Sequence, residues 1–449
     1  MKDNRDAIDF TKDPVRIVFM RMFLPTLIGM LSMVVLNITD GAFVGHGVGS
    51  NALAAVNIVA PLFLLSGGVG LLFGIGSSVV ASIHLSKGNA HAANLNITQG
   101  IIASYIIGTI IGVLTYCFQE ETCRLFGCSD VLVPLACSYL KWIAIVTPFN
   151  MVGMTGMFAV RLDGHPWFAM TMNCSMAFAN IFLDWLLIFP FHMGLEGAAI
   201  ATSTAFGFGN VPLLWFLLTR TQKVHLCKIK MTATSIWLTI RNLLYQSKIG
   251  ASALIGELAI ATIMIIGNYV FIHYLGEDGV AAFSVGCYCL PIVFMMGNAI
   301  VQSIQPVISF AHGQNNNERL HESLRVAILT AVLTGMGGML IMSFGAEGIT
   351  SVFLPSDCNA FTICKDGLPL YSPAFIFIAI NIVFIGYLQS IEAAAEATTF
   401  TLLRGFVLSI PAFIFLPMIL GNYGLWLALP AAEMLTLLAI VIKRRACNK

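Results

Sequence analysis

The sequence predicts an all-α membrane protein with twelve transmembrane helices in two six-helix bundles. Three observations predict it: an apolar composition, a series of apolar stretches long enough to cross a bilayer, and an internal repeat that halves the series. Of the 449 residues, 58% are hydrophobic and 10% charged, and the mean hydropathy is +0.87. Soluble domains carry about 25% charged residues, so little of this chain is expected in water. A net charge of +1 gives no imbalance that would draw nucleic acid.

A helix needs about 20 apolar residues to cross the hydrocarbon core. Turn and charge punctuation places the spans at 16–45, 52–84, 93–118, 131–158, 166–189, 195–219, 245–274, 280–311, 322–345, 367–391, 398–420 and 424–442. Several exceed the minimum and are expected to tilt or to extend past the bilayer. Residues 1–14 are polar and lack the apolar centre of a cleavable signal, so the first span is expected to act as its own insertion signal. Lys and Arg set the orientation. With the N-terminus in the cytoplasm, only Arg124 and Lys365 of the 23 basic residues fall outside, and Lys141 falls within the fourth span. Both termini are therefore expected inside. The division reads as a cytoplasmic segment 1–14, a first lobe 15–219, a basic and partly amphipathic linker 220–244, a second lobe 245–443 and a tail 444–449.

The lobes resemble each other at a fixed offset. GSNALAAV begins at Gly49 and GEDGVAAF at Gly276, 227 residues later. Gly70 pairs with Gly297, Gly194 with Gly421 and Gly197 with Gly424 at the same offset of 227. Gly88 and Gly313 match with a slip of two residues. An even number of spans per copy gives both copies one topology, related by an axis along the membrane normal. Such repeats around a midplane cavity are the usual build of secondary transporters.

Ionisable residues within spans mark function by default. Asp40 is the only acid of the first span and lies late in it. Asn180 and Asp184, four residues apart in the fifth span, share one helix face. Thr202 follows the start of the sixth span by about two turns. Asp40, Asn180, Asp184 and Thr202 thus fall at similar depth in one lobe. Carboxylate, amide and hydroxyl oxygens suit a proton or a hard cation such as sodium. Hydrogen bonds that merely hold the helices together are the alternative. In the second lobe Glu257 lies midway along the seventh span, and Glu433 midway along the twelfth is a further candidate. Glu392, Glu396 and Arg404 read as a solvated or paired cytoplasmic turn, while Lys141 either faces the interior or reaches outward. Pro25, with Gly29, is placed to let the first helix bend. The 21 Met and 32 Phe are mostly packing and lipid-facing, and some suit a cavity for apolar ligands. Eleven cysteines include no CxxC pair. Cys123 with Cys128 and Cys358 with Cys364 are either small disulfides or, as expected, ordinary thiols.

Taken together, TDGAFVGHGVGSNALAAV, NIFLDWLLIFPFHMGLEGAAIAT, GEDGVAAF, QPVISFAHGQ and LLRG resemble the multidrug and toxic compound extrusion (MATE) transporters over about residues 15–445. The resemblance implies a V-shaped pair of six-helix lobes that alternate access under an ion gradient. It implies export of small organic cations and amphipathic drugs, with H+ or Na+ as coupling ion and no cofactor. Asp40 matches the acid that the family uses for cation coupling, and Asn180, Asp184 and Thr202 match the rest of that polar network. Any sodium would sit among these four residues. Glu257 matches the seventh-helix glutamate that other members use. A monomer in the cell membrane, with a bacterial inner membrane as the setting, is the accompanying expectation.

Two other classes compete. A flippase for a lipid-linked precursor, from the same superfamily, needs a strongly basic cavity, and Lys141 is the only base placed inside the membrane. An enzyme needs a catalytic constellation, and the sequence has no HExxH, GxSxG or phosphate-binding loop. Transport without an ATP motif must draw on a gradient.

Overall fold

A computed structural model describes residues 8–126, 128, 130, 132–229 and 232–447. Lys2, Arg5, Lys230 and Lys449, counted above among the cytoplasmic bases, lie outside the described residues. The described residues are all-α, with no strand among them. The helices are α1 (Val15–Gly47), α2 (Ser50–Ser86), α3 (Ala90–Cys117), α4 (Gln119–Leu125), α5 (Val133–Asp163), α6 (Pro166–Ile188), α7 (Gly194–Thr219) and α8 (Ala233–Gly313), followed by α9 (Asn317–Phe344), α10 (Ala346–Phe353), α11 (Asn359–Tyr371), α12 (Ala374–Ser390), α13 (Ala394–Leu402), a π-turn (Leu403–Val407), α14 (Ser409–Leu420) and α15 (Asn422–Cys447).

Ten helical stretches are long and apolar enough to span a membrane, and the pair α11–α12, bent by 46°, makes an eleventh. Helix α8 counts once among them, yet its 81 residues are far too long for one crossing. It breaks at Gly276, where φ is 65° and ψ is −153°. Dividing α8 there gives the twelve spans expected, and the chain is a multi-pass membrane protein. Span seven begins earlier than the hydropathy suggested, because α8 starts at Ala233 inside the amphipathic stretch. Span ten begins as α11, whose break before α12 falls at Ser372 and Pro373.

The repeat has a backbone cause. Gly49 and Gly276 both have positive φ (119° and 65°), as do Gly194 and Gly421 (59° and 57°). Only glycine adopts these conformations cheaply. The glycines recur because the same turn recurs.

The described residues divide into two compact units, 1–254 with 309–316, and 255–308 with 317–449. In the first, α5 is the central helix, against α2, α3 and α7. Glycines permit the approach: Gly70 and Gly74 of α2 face Met154 and Phe158, Gly108 and Gly112 of α3 face Pro148 and Ala144, and Gly156 faces Leu213 of α7. Close backbone packing of this kind replaces the hydrophobic drive that lipid removes. Helix α1 packs along α6, with Gly29 against Asn173 and Gly47 against Ile188. It runs unbroken through Pro25.

The basic end of this unit is tied by polar side chains. The Asp163 carboxylate accepts the backbone N–H groups of Gln222 (2.9 Å), Lys223 (2.6 Å) and Val224 (3.0 Å). Lys223 Nζ donates to the Ile8 carbonyl and lies 4.7 Å from the centre of the Phe10 ring. Ile8 and Phe10 are fully buried, and Phe10 meets Phe310 at 5.7 Å between ring centres.

In the second unit α12 packs on α9 and α15, and α14 on α15. Phe271, Phe283, Phe413, Tyr371 and Trp426 form an aromatic core, with Gly367 pressed against the Trp426 ring.

Candidate functional site

Three helices of the first unit place polar groups at similar depth. Asp40 lies about two turns from the end of α1, Asp184 about one turn from the end of α6, and Thr202 about two turns past the start of α7. Helices α1 and α6 are packed neighbours, as are α6 and α7, so these side chains converge. The Asp40 and Asp184 carboxyl groups lie within hydrogen-bonding reach of each other. Asn180 Nδ2 donates to Thr202 Oγ1 at 3.2 Å. Asn180, Asp184 and Thr202 are buried, and Asp40 is partly so.

The acceptors outnumber the donors. Asp40 Oδ1, Asn180 Oδ1 and both Asp184 carboxylate oxygens are buried, with no donor in the protein. Buried polar atoms without partners are rare and call for one. Two facing carboxylates with no cationic side chain between them require a proton or a cation. No group of three or more His, Cys, Asp or Glu among the described residues is placed to hold a metal. The donor set here is therefore two carboxylates, an amide and a hydroxyl. That set fits a proton or an alkali cation better than a transition metal.

A fifth member went unread in the sequence. Tyr139 of α5 is buried, lies beside Thr202, and is within electrostatic reach of Asp40 and Asp184. An aromatic residue in an apolar span looks like packing. The signal was its register, about two turns into α5 at the level of Asp40.

In the second unit Glu433 is wholly buried and already partnered. Its Oε1 accepts Arg404 Nη2 at 2.7 Å and Nε at 3.1 Å, and its Oε2 accepts Asn381 Nδ2 at 2.7 Å. The Arg404 guanidinium carbon lies 4.9 Å from the centre of the Phe294 ring. Arg404 thus differs from the sequence reading. It is buried in the π-turn and pairs with Glu433, while Glu396 pairs with Lys443 at 3.3 Å. Glu257 lies half-buried on α8, and no interaction joins it to Glu433 or Arg404 among the described residues. Lys141 pairs with Glu196 at 2.6 Å, and Glu196 also accepts Trp142 Nε1 at 3.1 Å.

The sequence profile of the family described as MatE matches twice, at residues 25–186 and 253–415. The chain belongs to the MatE family. The two matches begin 228 residues apart, so the MatE profile falls once on each copy of the repeat. Among relatives, the multidrug export protein MepA of Staphylococcus saprophyticus is 24% identical over 444 residues, covering 98% of this chain and 96% of its own. MepA of Staphylococcus aureus strain MSSA476 is 23% identical over 448 residues, with the same coverage of 98% and 96%. These relatives are named as exporters and not as enzymes. Solved structures share the MatE fold. A multidrug resistance MATE family transporter of the MOP superfamily, in an outward-facing conformation, superposes with a TM-score of 0.87 at 20% identity, covering 96% of each chain. A MOP superfamily transporter from Pyrococcus furiosus, described as having a binding pocket of reversed polarity, gives 0.87 at 18% identity over 99% of each chain.

Proposed function

We propose that this MatE protein is a cation-coupled antiporter that exports cationic or amphipathic organic compounds by alternating access, as a monomer in the cell membrane. The observation that carries the reading is the set of buried, donorless oxygens on Asp40, Asn180 and Asp184. A proton or a sodium ion supplies what they lack. Once neutralised, the pair no longer repels, and α1 and α6 can pack closely. When the cation leaves, the two charges repel, and that packing is strained. A bound cation therefore shifts the balance between two arrangements of the same helices, as coupling requires. Tyr139 and Thr202 orient the site, and Pro25 gives α1 room to bend. Glu257 is the candidate acid of the second unit, whereas Glu433 acts as the counter-ion of Arg404. The basic ends of the helices face the cytoplasm.

One feature favours export of cations over flipping of an anionic lipid precursor. Arg404, a base within the second unit, is neutralised by Glu433 and offers no free positive charge. The names of the MepA relatives support multidrug export.

The test is efflux from proteoliposomes under an imposed pH or sodium gradient. The wild type is expected to extrude a fluorescent organic cation under one of the two gradients. Asp40→Asn is expected to insert and fold yet to lose gradient-driven efflux. Full efflux by Asp40→Asn would overturn the coupling assignment.

A further inference from the structure

Cys123 sits on the short helix α4, and Cys137 in the first turns of α5. Cys137 Sγ points at Cys123 Sγ across 3.9 Å. Cys123 is fully buried, and Cys137 is partly exposed. The sequence sets Cys123 with Cys128 as the alternative to ordinary thiols, and thiols are the expectation. The fold separates those two roles: the Cys128 N–H donates to the Cys123 carbonyl at 3.0 Å, closing a turn through the backbone. The Cys128 thiol lies within electrostatic reach of the other two, but the only sulfur–sulfur hydrogen bond among the described residues joins Cys137 to Cys123. The three thiols are also not placed to hold a metal.

We propose that Cys123 and Cys137 form a redox modification site, a reversible disulfide that staples α4 to α5. A disulfide bond measures about 2.05 Å, so closure from 3.9 Å needs only a small shift of the two side chains. The oxidant is a small-molecule disulfide or a protein disulfide that meets Cys137 first, because Cys137 is the more exposed. The Cys137 thiolate attacks one oxidant sulfur and forms a mixed disulfide, and one thiol leaves. The Cys123 thiolate then attacks Cys137 Sγ, and the second thiol leaves. Two protein thiols and one disulfide become one protein disulfide and two thiols. Burial, with Cys137 beside it, pushes the Cys123 thiol up to about 12. The second step is therefore slow at neutral pH and faster in mild base. The staple fixes the end of α5 two residues before Tyr139, which lies beside Thr202. It does not depend on which cation is coupled.

The full-length protein, purified under reductant, is transferred to oxidised glutathione at mildly basic pH, alkylated, digested and mapped by mass spectrometry. The expected product is a peptide pair joined through Cys123 and Cys137, released by dithiothreitol and retained in Cys128→Ser. Linkage through Cys128 would overturn the proposal. So would glutathione on Cys137 with Cys123 still open to alkylation after denaturation. The wild-type map decides the matter, so nothing depends on the folding of Cys137→Ser.

Discussion

Glu433→Leu is expected to destabilise the second unit far more than the loss of one side chain suggests. In the wild type, the Arg404 and Glu433 side chains are 6% and 0% exposed. Arg404 donates twice to one Glu433 oxygen, and Asn381 donates to the other. Removing the acid leaves a buried guanidinium without its acceptor, while the Asn381 amide keeps only the backbone carbonyl of Glu433. Breaking a buried pair from one side costs about 3–5 kcal/mol, because the remaining charge stays desolvated. At about 2–4 °C per kcal/mol for a unit of this size, the unfolding midpoint should fall by roughly 6–20 °C. The double variant Arg404→Met/Glu433→Leu removes both charges and keeps apolar volume, so most of that loss should return. The assay is thermal unfolding in detergent, followed by tryptophan fluorescence, arranged as a double-mutant cycle. A coupling energy of about 2 kcal/mol or more is expected. The reasoning fails if Glu433→Leu is as stable as the wild type, or if the two single losses simply add. The double variant is also expected to keep gradient-driven efflux, because Asp40 and Asp184 are untouched. A stable double variant that cannot transport would make Glu433 more than a counter-ion.

Gly276→Ala should cost about 1–3 kcal/mol, because φ 65° with ψ −153° is a region that only glycine populates freely. Gly337→Ala, in the interior of α9 where an added Cβ meets nothing within 4 Å, is the control in the same thermal assay and should be unchanged or slightly stabilised. Phe10→Ala should free the segment at residues 8–13, since Phe10 fills the contact with Phe310 and lies beneath Lys223. A loss of about 3 kcal/mol would raise local opening on the order of a hundredfold. Trypsin cleavage after Lys12 reads this directly, and an unchanged rate would refute it.

The spans were legible because lipid leaves a helix no choice: each crossing needs a long apolar run with its backbone bonded internally. Boundaries blurred where that rule does not act. Helix α8 extends back to Ala233 because the amphipathic stretch before span seven satisfies its own backbone and continues the helix. The repeat was legible through glycine, since Gly49/Gly276 and Gly194/Gly421 hold backbone conformations that forbid drift. In the candidate site, Asp40, Asn180, Asp184 and Thr202 could be read by depth alone. Tyr139 could not, because its hydroxyl is hidden on a residue that packing also selects. Arg404 was read as part of a solvated or paired cytoplasmic turn, because Glu392 and Glu396 lie near it along the chain, and its burial and its actual partner went unread. Its true partner is 29 residues away on another helix. The apolar run after it, GFVLSIPAFIF, was the available hint that the side chain lies within the membrane.

Facing carboxylates on α1 and α6 also set a ceiling on stoichiometry. On the proposed mechanism, Asp40 and Asp184 together take up at most two unit charges per cycle. Exchange of one such charge for a monovalent cationic substrate is electroneutral, and exchange of two moves net charge across the bilayer. A single transported charge across 100 mV is worth about 2.3 kcal/mol. How many of the two acids discharge per turnover therefore decides whether membrane voltage, as well as the ion gradient, powers export.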